Sequence, residues 1–270
     1  MKMVIVPKLI FFVFVLLLQT KLVLAKQPPF WVITSLEPPF SQLDSRGHLT
    51  GLTIDTVKGI LREAGIEQEI LVAPWERVFK EAQSKSNVLL FSIARLPERE
   101  NDFFWISPLT NNIVGIFSLN GQFVSDIEQL EVNEKYAVLD GDYRIDVLQQ
   151  AGINNIVKLQ NWGQGVTALV NGEVKNVFLS SIGIQYFCHQ LNLDCSQVKQ
   201  RFVYRQVTSY LALSKGSDME MVTKLIEAAE NYKRSAQYSQ ITQQWLTLYQ
   251  QQNGLHAHLD KGIVNLWAKQ

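Results

Sequence analysis

Arg95, Glu98, Arg99 and Glu100 crowd one short stretch, directly after the apolar run Val88-Leu89-Leu90-Phe91 and the small residues Ser92 and Ala94. A guanidinium at the carboxyl end of a buried strand can offer two parallel N–H donors to a carboxylate. Its plainer use is a surface ion pair with Glu98, Glu100 or Asp102. Other polar and aromatic residues follow strand-like runs in the same way: Glu37 and Phe40, Trp75, Asp142 and Tyr143, Trp162 and Ser180. The same positions suit aromatic or polar walls of a ligand cleft, with core packing the alternative for Phe40, Trp75 and Trp162. Cys188 and Cys195 lie seven positions apart. That spacing fits neither a zinc knuckle nor a C-x-x-C redox pair, and it reads most simply as one disulfide, with two buried thiols the alternative. His256 and His258 with Asp260 make an incomplete ligand set, so no metal is assigned. The sequence contains no G-x-S-x-G elbow, Walker loop, G-x-G-x-x-G fingerprint or H-E-x-x-H helix. Hydrolase, kinase and dinucleotide chemistry therefore lose their main supports, and no cofactor is assigned.

These residues need elements to hold them. Trp31 to Ser35 is β-rich and runs into the turn signals Pro38-Pro39 and Asp44-Ser-Arg-Gly47. Ile54, Val57, Ile60, Leu61 and Ala64 recur at helical spacing before Gly65, a C-cap residue. Strand at 69–73, helix at 75–85 and strand at 88–93 complete an alternation that signals a parallel sheet. A second alternation follows: strand 135–139, helix 143–151, strand 155–159, helix 163–171, strand 174–180, helix 182–191. A strand-like stretch at 203–213 and helices at 219–230 and 240–251 end the pattern. In open α/β sheets ligands sit beyond the carboxyl ends of the strands, which is where the polar residues above fall.

At the amino end, Lys2 and Lys8 precede the apolar run Leu9 to Leu18, and Val23-Leu24-Ala25 suits a signal peptidase. Cleavage after Ala25 predicts an exported, periplasmic protein; an uncleaved anchor is the alternative. Removing Lys2, Lys8 and Lys21, with no acid lost, takes the formal charge from 0 to −3. A mildly acidic surface has no footprint for nucleic acid.

The ordered set Glu37-Pro-Pro-Phe40, Gly47 to Asp55, Pro74-Trp75-Glu-Arg77, Ser92 to Arg99 and Phe104-Trp-Ile-Ser-Pro108, then Leu139-Asp-Gly141 and Val170-Asn-Gly172-Glu-Val, resembles the family 3 extracellular solute-binding proteins. These are type II periplasmic binding proteins, which mostly deliver amino acids to ABC importers. The likeness spans about residues 28–250. It implies an α/β fold of two lobes, each a mostly parallel sheet flanked by helices, with the ligand cleft between them. The expected division is 26–115 for the first part of lobe 1, 116–208 for lobe 2, 209–252 for the return to lobe 1 and 253–270 for a tail, with crossings near 113–120 and 203–213. It also implies a monomeric binder without enzymatic activity, whose partners are a small solute and an ABC permease or a membrane receptor. Arg99 takes the position that grips the ligand's α-carboxylate, Ser92 lines the cleft, Trp75 and Phe40 wall it, and Tyr143 approaches from the second lobe. Trp162, at the head of a helix, could close over the ligand. Arg95 has no counterpart in the family pattern; it is a further candidate for ligand contact, with a solvated or interlobe role the alternative.

The second lobe departs from that pattern. Amino-acid binders of the family follow their G-R-x-D segment with an acidic residue for the ligand's ammonium; here Ser180 stands in its place and Lys175 replaces the structural aspartate. A hydroxyl accepts a hydrogen bond but cannot neutralise a charge, and an unpaired desolvated ammonium is costly. Either Glu37 or Asp142 supplies the missing charge, or the ligand is not a standard α-amino acid. The enzymatic alternative is a protein resembling cyclohexadienyl dehydratase, which would need a general acid such as Glu37 beside the arginine.

Overall fold

The computed structural model describes residues 29–267, so the predicted export segment at 1–25 lies outside the described residues. Apolar strands β1 (Trp31–Thr34), β4 (Ile70–Val72) and β5 (Val88–Ala94) pair in parallel, with β1 in the middle. Helix α1 (Leu52–Glu63) connects β1 to β4 and α2 (Trp75–Ser84) connects β4 to β5. A two-stranded hairpin, β2 (Gln42–Leu43) with β3 (Leu49–Thr50), fills the connection from β1 to α1, where sequence patterning shows only a turn. Its turn is closed by Asp44, whose Oδ1 accepts from the backbone N–H groups of Arg46 and His48, each at 2.8 Å.

The second parallel trio is β7 (Tyr136–Leu139) between β8 (Ile156–Leu159) and β9 (Asn176–Ser180). Its helices are α3 (Arg144–Gln150), α4 (Trp162–Val170) and α5 (Ser181–Gln190). Cys188 in the last turn of α5 is bridged to Cys195, with Cα atoms 5.9 Å apart, as the sequence predicts.

Two long antiparallel strands, β6 (Phe103–Leu119) and β10 (Val198–Ser214), join the trios into one sheet of order β4-β1-β5-β10-β6-β9-β7-β8. β10 pairs with β5 only through Ser209–Leu213, and β6 pairs with β9 only through Val114–Ser118. Each long strand therefore serves the first half of the sheet at one end and the second half at the other. The strands extend well beyond the crossings expected at 113–120 and 203–213. Pro108 disguises β6 in the sequence; it falls where the β6 and β10 register shifts, an irregular point at which a residue without an N–H is tolerated.

Helices α6 (Met219–Arg234) and α7 (Ala236–Asn253) return to pack on α1 of the first half, and Leu246 and Tyr249 of α7 also join a core with Trp162, Ile182 and Tyr186 of the second. Ile54, Val57, Ile60 and Leu61 of α1 are buried in one core with Leu225, Ala228, Ala229 and Tyr232 of α6. The tail is folded: β11 (His258–Asp260) and β12 (Ile263–Asn265) form a hairpin, and β12 lies parallel to β6 at Thr110 and Asn111. Among the described residues no helix is long and apolar enough to cross a membrane.

Candidate functional site

Both halves of the sheet turn the carboxyl ends of their parallel strands toward one small cavity of about 50 Å³. Ser35, Glu37, Trp75, Ser92, Ala94 and Arg99 line it from the first half. Leu139, Asp142, Tyr143, Arg144, Trp162 and Ser180 line it from the second, and Asn112, Val114, Val207 and Ser209 of the long strands contribute the rest.

Arg99 closes a single 3-10 turn after β5 and is 6% exposed. Its guanidinium carbon lies 4.5 Å from the centre of the Phe79 ring, 5.7 Å from Trp75 and 5.5 Å from Tyr143. Its Nη1 donates at 3.5 Å to the Ala94 carbonyl, and among the described residues it has no ion-pair partner. Burial pulls its pKa below the ordinary arginine value, against the attraction of Asp142 and Tyr143. An aromatic-walled guanidinium without a counter-ion is prepared for an anion.

Ser92 reaches the cavity by a break in its strand. Tyr210 pairs with Ile93 and Leu211 with Phe91, so Ser92 bulges out of register with φ of +62°. Its buried Oγ has no hydrogen-bond partner, a state that costs about 1–3 kcal/mol if nothing else fills it. Bulges of this kind re-aim side chains beside binding sites.

Glu37 sits in a loop pinned by its own backbone. Its N–H donates to Ser41 Oγ at 2.9 Å, and its carbonyl accepts from Phe40 N at 2.9 Å. Burial raises the carboxyl pKa from 4.5 to about 7, Arg144 opposing and Asp142 reinforcing the shift. Across the cavity, Asp142 and Arg144 are both buried and joined by a salt bridge of 3.0 Å, and the same Asp142 Oδ1 accepts from Arg144 N at 3.0 Å. The Arg144 guanidinium lies over the rings of Trp162, at 4.9 Å, and Tyr143, at 5.0 Å. Burial works against its charge, but Asp142, Tyr143 and Glu37 outweigh it and its pKa is raised. The Tyr143 hydroxyl has no partner, and burial raises its pKa.

Ser180 has a structural use. It is the N-cap of α5, its Oγ accepting from Gly183 N at 3.2 Å. Trp162 opens α4, behind the N-cap Asn161. Trp75 opens α2, stacks on Phe79 with centroids 5.4 Å apart, and donates from Nε1 to the Gly141 carbonyl at 3.1 Å. That bond ties the halves together over the cavity. Gly141 has φ of +71°, and a Cβ there would stand 2.8 Å from Glu76 Cβ, so the close approach requires glycine.

Of the residues expected to meet a ligand, the structure brings together Glu37, Trp75, Ser92, Arg99, Tyr143, Trp162 and Ser180. Phe40 is corrected to a core residue. It is 3% exposed, packs edge-on against Tyr249 at 5.7 Å, and its carbonyl accepts from Thr53 at the start of α1. Arg95 is also corrected: it points outward, its Nε donating to Glu100 at 2.9 Å and its guanidinium resting near Trp105 and Tyr210. The reading of the sequence overlooked Arg144 and Asn112. Arg144, one residue past the Asp-Gly-Asp-Tyr turn and beginning a helix, has the pattern of a solvent-facing residue; Asn112 lies inside a long strand without any motif.

The sequence profile of the bacterial extracellular solute-binding proteins, family 3, matches residues 31–248, and the chain belongs to that family. Solved structures with the same fold include a histidine kinase sensor domain with similarity to periplasmic binding proteins, 18% identical, with a TM-score of 0.70 over 80% of this chain and 96% of that one. A mutant of the arginine-binding protein ArgBP from T. maritima is 18% identical, with a TM-score of 0.68 over 80% of this chain and 95% of that one. The arginine-, lysine-, histidine-binding protein ArtJ from Geobacillus stearothermophilus is 19% identical, with a TM-score of 0.68 over 81% and 96%. No curated protein sequence matches the chain.

Proposed function

We propose that this protein is a periplasmic solute-binding protein that captures a small carboxylate-bearing solute, an amino acid or a related polar metabolite, for ABC-type uptake. The observation that carries this reading is Arg99, buried in the cleft with no ion-pair partner among the described residues. The solute's carboxylate pairs with Arg99, Ser92 offers its free hydroxyl, and Trp75, Tyr143 and Trp162 wall the cleft. Lobe 1 is 26–115 with 209–252, and lobe 2 is 116–208. Closure of the two lobes by hinge motion is the signal read by a membrane partner, an ABC permease or a receptor. Membership of a family of extracellular solute-binding proteins supports an exported binder rather than an enzyme; the proposal adds that it is monomeric and exported by residues 1–25.

A thermal-shift panel of amino acids, dicarboxylates, polyamines, small peptides and aromatic acids tests the reading. A ligand at about one hundred times its dissociation constant adds ~2.7 kcal/mol of stability. Arg99→Ala abolishes that gain and leaves the unliganded melting temperature nearly unchanged; retained stabilisation in the variant overturns the assignment.

A further inference from the structure

We infer that the cleft selects a small carboxylic acid without an ammonium group, its carboxylate on Arg99 and its other end beside Glu37. The inference rests on the reading of Arg99 as the anchor. An ammonium in a closed cavity needs a carboxylate beside it. Asp142 is already engaged, with one oxygen accepting from both the guanidinium and the backbone N–H of Arg144. Ser180 caps α5 and carries no charge. Glu37 is the remaining acid of the cavity lining, and its surroundings favour the neutral form, with a pKa of about 7. Two guanidiniums thus face one committed carboxylate. The missing charge is one negative charge, which a simple carboxylate supplies. Below about pH 7 a zwitterion can pair its ammonium only after Glu37 has given up its proton inside the cavity.

Size points the same way. At ~10–15 Å³ per water, a cavity of about 50 Å³ holds about three to five waters. That room suits a skeleton of a few carbons. The charged groups facing Glu37 are Arg144 and Asp142 from the opposite half, with Arg99 and the neutral Tyr143 hydroxyl lining the same space. An anion beside Glu37 holds its proton more tightly. Binding therefore takes up a proton, and affinity declines as the pH rises through about 7.

Isothermal titration of the protein with matched pairs tests this: succinate against aspartate, glutarate against glutamate, lactate against alanine, each at pH 6 and pH 8. The expected result is that in at least one pair the member without the amino group binds at least tenfold more tightly, and that its affinity falls about tenfold between the two pH values. Glu37→Gln, which keeps a donor and cannot ionise, flattens that pH profile. Tighter binding of the amino member, an affinity that rises with pH, or a profile still sloped in Glu37→Gln overturns the inference and leaves Arg99 as the anchor. Binding that survives Arg99→Ala overturns the anchor itself, and no binding by any pair overturns both.

Discussion

The backbone of Glu37 is pinned by Ser41 and Phe40, while no hydrogen bond among the described residues ends on its carboxylate. Folding lifts that carboxyl from 4.5 to about 7, so between those values the folded chain holds more protons than the unfolded one. Stability present below about 4.5 is thus lost as the pH rises to about 7. Glu37→Gln removes the cost: the unliganded variant should be more stable than the parent at pH 8 by roughly 1–3 kcal/mol and little changed at pH 5, read from denaturant melts at both pH values. A binding site that lowers the stability of the empty protein is the usual trade between function and stability. Glu37, Trp75, Arg99 and Tyr143 were legible in the sequence because each follows a strand, and strand ends face the cleft in this class of sheet. Position after a strand does not determine side-chain direction. Phe40 and Arg95 occupy equally suitable loops, yet one turns into the core against Tyr249 and the other outward to Glu100.

The elements with strong periodicity were readable, α1 from its apolar stripe and the parallel strands from their short apolar runs. The bulge at Ser92 was not, because it is set by the partner strand β10 and leaves no mark in the local sequence. The C-terminal hairpin was equally hidden: strands of three residues are too short to show alternation, although Lys261 and Gly262 both adopt positive φ at its turn. It attaches where the long strands meet. Asn111 Nδ2 donates to Asn265 Oδ1 at 2.8 Å, Thr208 Oγ1 donates to Asn111 Oδ1 at 2.6 Å, and Leu266 N donates to the Asn111 carbonyl at 3.0 Å. Val264 of the hairpin and the flanking Leu255 and Leu266 are buried. Leu266→Ala leaves a cavity there and should destabilise the protein by about 2–4 kcal/mol in equilibrium urea unfolding; a change below about 0.5 kcal/mol would show that the hairpin adds little to the fold.

Across the whole molecule the two halves share the continuous sheet and a core that groups Phe40 and Leu52 with Trp162, Ile182 and Tyr186, and polar contacts also join them: Trp75 Nε1 to the Gly141 carbonyl, and the Tyr186 hydroxyl to Gln42 Oε1 at 2.9 Å. One hydrogen bond contributes about 1 kcal/mol net. Trp75→Phe keeps a ring and deletes the bond, so it should enlarge the radius of gyration of the unliganded protein in X-ray scattering and weaken ligand binding about fivefold. An unchanged radius would mean that other contacts hold the two halves in place. The same sheet also imposes an order of assembly. Strands β9, β7 and β8, with the end of β6 that they need, lie within residues 114–180 and can pair as soon as that length of chain exists. The first half cannot. Its strand β5 ends at Ala94, but the neighbour that covers it, Ser209–Leu213 of β10, comes more than a hundred residues later. Until the returning chain slides between β5 and β6, Leu89, Leu90 and Phe91 therefore wait on an open strand edge, the kind that invites wrong partners.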